Sequence, residues 1–212
     1  MVLAVLSTSV FAGTLPIVNP GFEDEAHTDG DYSFTVPGWE LLNPADGEMG
    51  TWNPDADGAV FYGYGGNAPD GLNVAFTSDD GILGLESGIK QVLADTLVAD
   101  VQYTLTVSVG NSYYYAWGEG YKVQLLAGGI LLNEDDNSVA IANDTFEVST
   151  VTWDSTGTAL GLIGLPLEIR LIAKAGNDEV DFDNVQLTAV PEPATMALLG
   201  LGGLLLYRKK KA

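Results

Sequence analysis

Residues 102–109 read QYTLTVSV. Tyr103, Leu105, Val107 and Val109 are apolar, and Thr104, Thr106 and Ser108 alternate with them. That is a period of two, the pattern of a strand with one face buried. The stretch 167–173 repeats it, with Leu167, Ile169 and Leu171 on one face and Glu168 and Arg170 on the other. Further strands are expected over 72–77, 89–93, 122–126, 147–153 and 180–187. Turn residues separate them: Gly110-Asn111, Gly128-Gly129, Glu134 to Asn137, and Gly176-Asn177-Asp178. The body has no sustained helical period and no internal repeat. Many short strands with turns between them imply an all-β fold, an antiparallel β-sandwich or jelly roll over residues 13–189.

The last of these strands changes phase. Val180 and Phe182 share one parity, whereas Val185 and Leu187 share the other. The slip falls at Asp183-Asn184, where a β-bulge would absorb it, and bulges re-aim side chains beside functional sites. Asp181 and Asp183 lie at or next to it.

The two ends read as addresses. Residues 2–11 form a mostly apolar run leading to Val10-Phe11-Ala12, with small or aliphatic residues at the −3 and −1 positions of a cut after Ala12. Residues 1–12 thus resemble the later part of a secretory signal peptide, whose basic region is expected upstream of Met1 or has been clipped; a first buried strand is the alternative. Residues 190–212 read VPEPATMALLGLGGLLLYRKKKA. As a helix, 194–207 would span roughly 21 Å at ~1.5 Å per residue, short of the ~30 Å of a hydrocarbon core. The expectation is a short C-terminal transmembrane helix, loosened by Gly200, Gly202 and Gly203, with Arg208 to Lys211 held inside.

Charge narrows the function. The chain has 212 residues, with 8 Lys and Arg against 29 Asp and Glu. Four of the basic residues are Arg208 to Lys211 and one acid, Glu192, lies in the tail, which leaves 28 acidic against 4 basic residues before Val190. Such a body repels phosphate backbones and anionic membranes, so nucleic-acid binding is not expected. Acidic loops can collect divalent cations instead. With no Cys, disulfides, thiolate zinc sites and Cys nucleophiles are excluded.

Three resemblances add to this. Val190-Pro191-Glu192-Pro193-Ala194, the apolar run and the basic cluster resemble the PEP-CTERM sorting signal of Gram-negative bacteria. The resemblance implies an exosortase partner, transient anchoring in the inner membrane, and delivery to the cell surface or extracellular matrix. Ile17 to Glu23 (IVNPGFE), Pro37-Gly38-Trp39 and Val180 to Val185 (VDFDNV) resemble the galactose-binding-like jelly roll of carbohydrate-binding modules. That likeness implies that the first and last strands meet and that a structural Ca²⁺ is held by Glu23 and Asp183, with main-chain carbonyls completing the oxygen shell. Thr51 to Pro54 (TWNP), Gly71 to Ala75 (GLNVA), Gly120 to Gly128 (GYKVQLLAG) and Leu167 to Leu171 (LEIRL) are similar to the Stig cyclases, secreted cyanobacterial proteins that cyclise indole terpenoids with Ca²⁺. That similarity implies an Asp acid in an aromatic-lined pocket, and Asp181 best matches it.

Other motifs weigh less. Asn53 to Gly58 (NPDADG) imitates half an EF-hand loop, but its twelfth position is Tyr64 rather than the bidentate Glu the geometry needs, leaving at most a loose cation site at Asp55 and Asp57. His27 is the one His and no G-x-S-x-G elbow occurs, so a hydrolase triad is not expected. A pair of catalytic carboxylates stays open but unspecified among so many acids. The aromatic run Tyr113, Tyr114, Tyr115 and Trp117, with Tyr121 beyond it and Phe61, Tyr62 and Tyr64 in a Gly-rich loop, is the candidate ligand surface. About half of such residues are expected to be core. The leading expectation is an exported, exosortase-sorted protein that binds polysaccharide with Ca²⁺ support. The alternatives are a Stig-cyclase-like enzyme with Asp181 as proton donor and a purely structural matrix component.

Overall fold

A computed structural model describes residues 12–44, 47–54, 67–79, 86–112, 118–176 and 179–192. These residues form strands β1 (Gly13–Leu15), β2 (Tyr32–Ser33), β3 (Glu40–Leu41), β4 (Gly47–Trp52), β5 (Val74–Asp79), β6 (Ser87–Thr96), β7 (Val101–Asn111), β8 (Tyr121–Ala127), β9 (Ile130–Asp136), β10 (Thr145–Asp154), β11 (Pro166–Ala173) and β12 (Val180–Pro191). One sheet has the order β10-β7-β12-β5-β4-β2, with β1 also paired to β12. The other runs β3-β6-β11-β8-β9. Every pairing between them is antiparallel. The protein is an all-β antiparallel sandwich.

Alternation explains the core. Tyr103, Leu105, Val107 and Val109 of β7 point between the sheets and meet Leu167, Ile169 and Leu171 of β11, all buried. Fully burying one such aliphatic side chain contributes about 1.5–3 kcal/mol. Phe22, Val36 and Trp39 join the same core from the loops before β3. Every strand expected from the alternation is present.

Two turn expectations are corrected. Gly110 and Asn111 continue β7, and Glu134 to Asp136 belong to β9. In β9 the acids stay extended because β8 supplies partners: Asp135 pairs with Val123 and Asp136 with Lys122.

The phase slip in the last strand is a bulge. Asp183 pairs with Ser108 and Gln186 with Thr106, so β12 carries one extra residue there. Asn184 takes a φ of 48°, in the left-handed region, and the Val185 amide donates to the Pro20 carbonyl at 2.9 Å. Before the bulge Val180 and Phe182 face the core; after it Val185, Leu187 and Ala189 do. The first and last strands meet, with Gly13 opposite Ala189. β12 also runs two residues past the boundary expected at 189: Pro191 pairs with Val101, and the Glu192 amide donates to the Asp100 carbonyl at 2.9 Å. No helix among the described residues is long and apolar enough to cross a membrane. The expected anchor 194–207 and signal segment 1–11 lie outside them.

Candidate functional site

The outer face of the larger sheet carries a second apolar cluster, separate from the core. Trp52, Val74 and Phe76 are buried there, with Ala68 and Phe146 packed on them. Sheet register puts Phe146, Gly110, Asp181, Phe76 and Gly50 in one row across β10, β7, β12, β5 and β4. Asp181 is fully buried, and the indole Nε1 of Trp52 donates to its Oδ1 at 3.0 Å. Gly110 beside it adds no side chain to the row. At the other end, a Cβ on Gly50 would lie 2.3 Å from the Phe76 ring, so glycine there lets the ring lie down over β4. Phe34 meets Phe76 edge-on at 6.1 Å and Tyr32 edge-on at 5.4 Å, forming an exposed aromatic rim.

Glu179 joins Asp181. It is buried, and burial together with the charge of Asp181 pushes its pKa well above the usual carboxylate range. Trp52, Phe76 and Phe146 escaped the sequence reading as site residues because they come from separated segments, and Glu179 was not singled out either. One signal was legible: Glu179, Asp181 and Asp183 alternate with Val180 and Phe182 and so share a face.

Around the bulge lies a second acidic group. Glu23 Oε1 accepts from the amides of Leu72 at 2.7 Å and Asn73 at 2.6 Å. Gly71, at φ 71°, makes this approach possible, since a Cβ there would stand 2.4 Å from that oxygen. Asp183 Oδ2 accepts from the Asp70 amide at 2.7 Å and Oδ1 from the Asn184 amide at 2.6 Å. Burial, then the charges of Asp70 and Glu23, push the Asp183 pKa up to about 8 against the pull of those two amide bonds. Asn73 Oδ1 is buried with no hydrogen-bond partner among the described residues. Among those residues no three acidic or histidine side chains converge on one metal position. A cation here would therefore rest on two carboxylates and neutral oxygens. The donor set fits a hard divalent ion: crowded carboxylates lacking a counter-charge beside an unpartnered amide oxygen.

The remaining candidates fall elsewhere. Tyr62, Tyr64, Tyr113, Tyr115 and Trp117 lie outside the described residues, as do Phe61, Tyr114, Asp55, Asp57 and Pro193. Residues 55–66 follow β4 directly after Pro54, and 113–117 follow β7 after Ser112. Tyr121 is buried in the core and donates its hydroxyl to Asp135 Oδ2 at 2.8 Å; Ser149 donates to the same oxygen at 2.6 Å and the Ser138 amide to Oδ1 at 3.0 Å. Burial pushes the Asp135 carboxyl up, but these bonds outweigh it and hold its pKa below the ordinary value. Tyr121→Phe should therefore lower unfolding stability by about 1–3 kcal/mol, the cost of a buried carboxylate losing a donor, as measured by urea denaturation. Pro191 ends β12. His27 Nε2 lies 2.9 Å from Thr51 Oγ1, with Ser33 and Thr35 occupied by Glu25, whose pKa they lower.

A β-sandwich with a buried acid beside an aromatic cluster on one outer sheet face is the class these observations define. Residues 13–188 match the HpiC1 cyclase family, and the chain belongs to it. Residues 189–211 match the PEP-CTERM protein-sorting motif, which implies exosortase processing, export and membrane-anchored sorting toward the cell surface. The apo form of a cyclase from Fischerella sp. is 34% identical, covering 85% of this chain and 98% of that one, with a TM-score of 0.76. The Stig cyclase Fisc from Fischerella sp. TAU, in complex with (3Z)-3-(1-methyl-2-pyrrolidinylidene)-3H-indole, is 35% identical over 86% of this chain and 100% of that one, at a TM-score of 0.75. A cyclase from Fischerella sp. TAU in complex with 4-(1H-indol-3-yl)butan-2-one is 35% identical, covering 85% and 99%, at 0.73. No curated protein matches the chain.

Proposed function

We propose that this protein is an exported cyclase that isomerises a terpene-bearing indole by acid catalysis, with Asp181 as the proton donor. The observation that carries the reading is the full burial of Asp181, hydrogen-bonded by the Trp52 indole N–H, on the sheet face of the Trp52, Phe76 and Phe146 cluster. Water is kept from the acid, and the ring faces can stabilise cationic character developing on the substrate. The proton passes from the Asp181 carboxyl to a carbon of a substrate double bond, and a carbon–carbon bond closes on the resulting cation. Loss of a proton back to the carboxylate restores the acid. Nothing else is consumed, so product and substrate have the same mass.

Ca²⁺ would be held by Glu23 and Asp183, with Asp70 close by. Its contribution would be structural: it would supply a counter-charge to the Asp183 carboxylate, whose pKa burial raises, and would tie the bulge of β12 to the loops 19–23 and 70–73. The aromatic rim argues against a glycan platform, because Tyr32 and Phe34 meet at 86° rather than lying coplanar for a sugar face. The sorting tail would present this activity at the cell surface or in the matrix.

The test is incubation of the Ca²⁺-loaded protein with a geranylated indole, followed by chromatography and mass spectrometry. New products of unchanged mass are expected. Tight binding of the indole with no isomer formed would overturn the enzymatic reading.

A further inference from the structure

Glu179 has no part in the reaction as described, yet it is the most anomalous group near the site. It is only 6% exposed, and its Oε1 has no hydrogen-bond partner among the described residues. The other buried atoms in that condition belong to Asn73, Thr77, Ser87 and Trp153, all neutral side chains. Glu179 alone among them can carry charge, and buried carboxyls are normally satisfied. Its position is equally specific. It precedes Asp181 by two residues, immediately before β12 begins at Val180, and the raised pKa, caused first by burial and then by the charge of Asp181, agrees with the two carboxyls lying near one another. The residue after next on an extended chain shares a face, so Glu179 falls on the sheet face that carries Asp181.

The surroundings define what could complete that oxygen. The cluster on that face, Trp52, Phe76 and Phe146, offers apolar, flat surface suited to an aromatic ring. Asp181 already receives the Trp52 N–H and is assigned to the proton transfer. What is left for Glu179 is a donor at the edge of a flat ligand. We propose that Glu179 Oε1 accepts the ring N–H of the bound indole and thereby fixes which carbon faces Asp181. This inference rests on the reading of the site as one for indole-class ligands. Oxygen acceptors of this kind discriminate strongly, because a ligand lacking the donor leaves the buried oxygen bare.

The test compares two ligands on the full, Ca²⁺-loaded protein by calorimetry: 3-methylindole and its N-methylated analogue, 1,3-dimethylindole. Wild type should bind the N–H form at least about tenfold more tightly. Glu179→Gln, which keeps a carbonyl oxygen, should retain that preference. Glu179→Leu should bring the two ligands to within about threefold. Should Glu179→Leu not fold, Glu179→Met serves the same purpose. An N–H preference that persists in the leucine or methionine variant, or no preference in wild type, overturns the role of Glu179 while leaving the indole reading intact. If neither indole binds wild type, the indole reading fails and this inference fails with it.

Discussion

Asp181→Asn should reduce turnover of a geranylated indole by about 10²–10⁴-fold, the usual contribution of a positioned general acid. The variant isolates the proton. Asn keeps an oxygen where Trp52 Nε1 now donates at 3.0 Å, so the indole keeps its anchor. It also removes the titrating neighbour whose coupling, after burial, raises the pKa of Glu179. Melting temperature should therefore hold or rise while activity is lost, and that opposition separates a chemical role from a structural one. Single-turnover kinetics beside thermal unfolding are the measurements. Retention of more than about a tenth of wild-type turnover would remove Asp181 from the chemistry.

Calcium should raise stability, and more so at alkaline pH. In the metal-free protein Asp183 keeps its proton up to about pH 8, whereas its ordinary value is 3.8. Between these values the native state holds one more proton than the unfolded chain. The stability present below pH 4 is then lost as pH rises toward 8, by up to about 1.4 kcal/mol per unit, with no further loss from this group above that. Glu179, raised as well, acts in the same direction. A divalent cation that replaces the proton on Asp183 should flatten this dependence. At 100 times its Kd, Ca²⁺ contributes about 2.7 kcal/mol, or roughly 5–10 °C in Tm for a domain of this size.

Glu23→Ala should abolish the Ca²⁺-dependent increment. It should also lower Tm in EDTA, because the Leu72 and Asn73 amides lose their acceptor. The increment is thus the readout, not the absolute value. Identical melting curves in EDTA and Ca²⁺ at pH 8.5 would rule the cation out.

Particular residues show where reading the chain succeeded and where it stopped. The alternation from Tyr103 to Val109 has one physical meaning, burial of one strand face, and the structure follows it. The bulge was legible because a change of parity between Phe182 and Val185 has no other economical solution in a strand. β9 was not, since Asn133-Glu134-Asp135-Asp136 carries every local mark of a turn. Only β8 beside it, and Tyr121 and Ser149 on Asp135, make an extended buried acid favourable. Gly110 misled in the same way: in isolation it breaks a strand, whereas in the sheet it is the residue without a side chain next to Asp181.

The sequence by itself determined the sandwich, its principal strands, the phase slip and the sorting tail, because each is written in neighbouring residues through periodicity or contiguous motif. It also nominated Asp181, Glu23 and Asp183 as candidates, through short motifs that resemble known families. The tertiary structure alone decided that the Trp52 indole donates to Asp181, that Phe76 and Phe146 complete the patch and that Tyr121 belongs to the core. Those placements arise from the register of strands distant in sequence, and register is set by the burial of both sheets at once rather than by any local stretch.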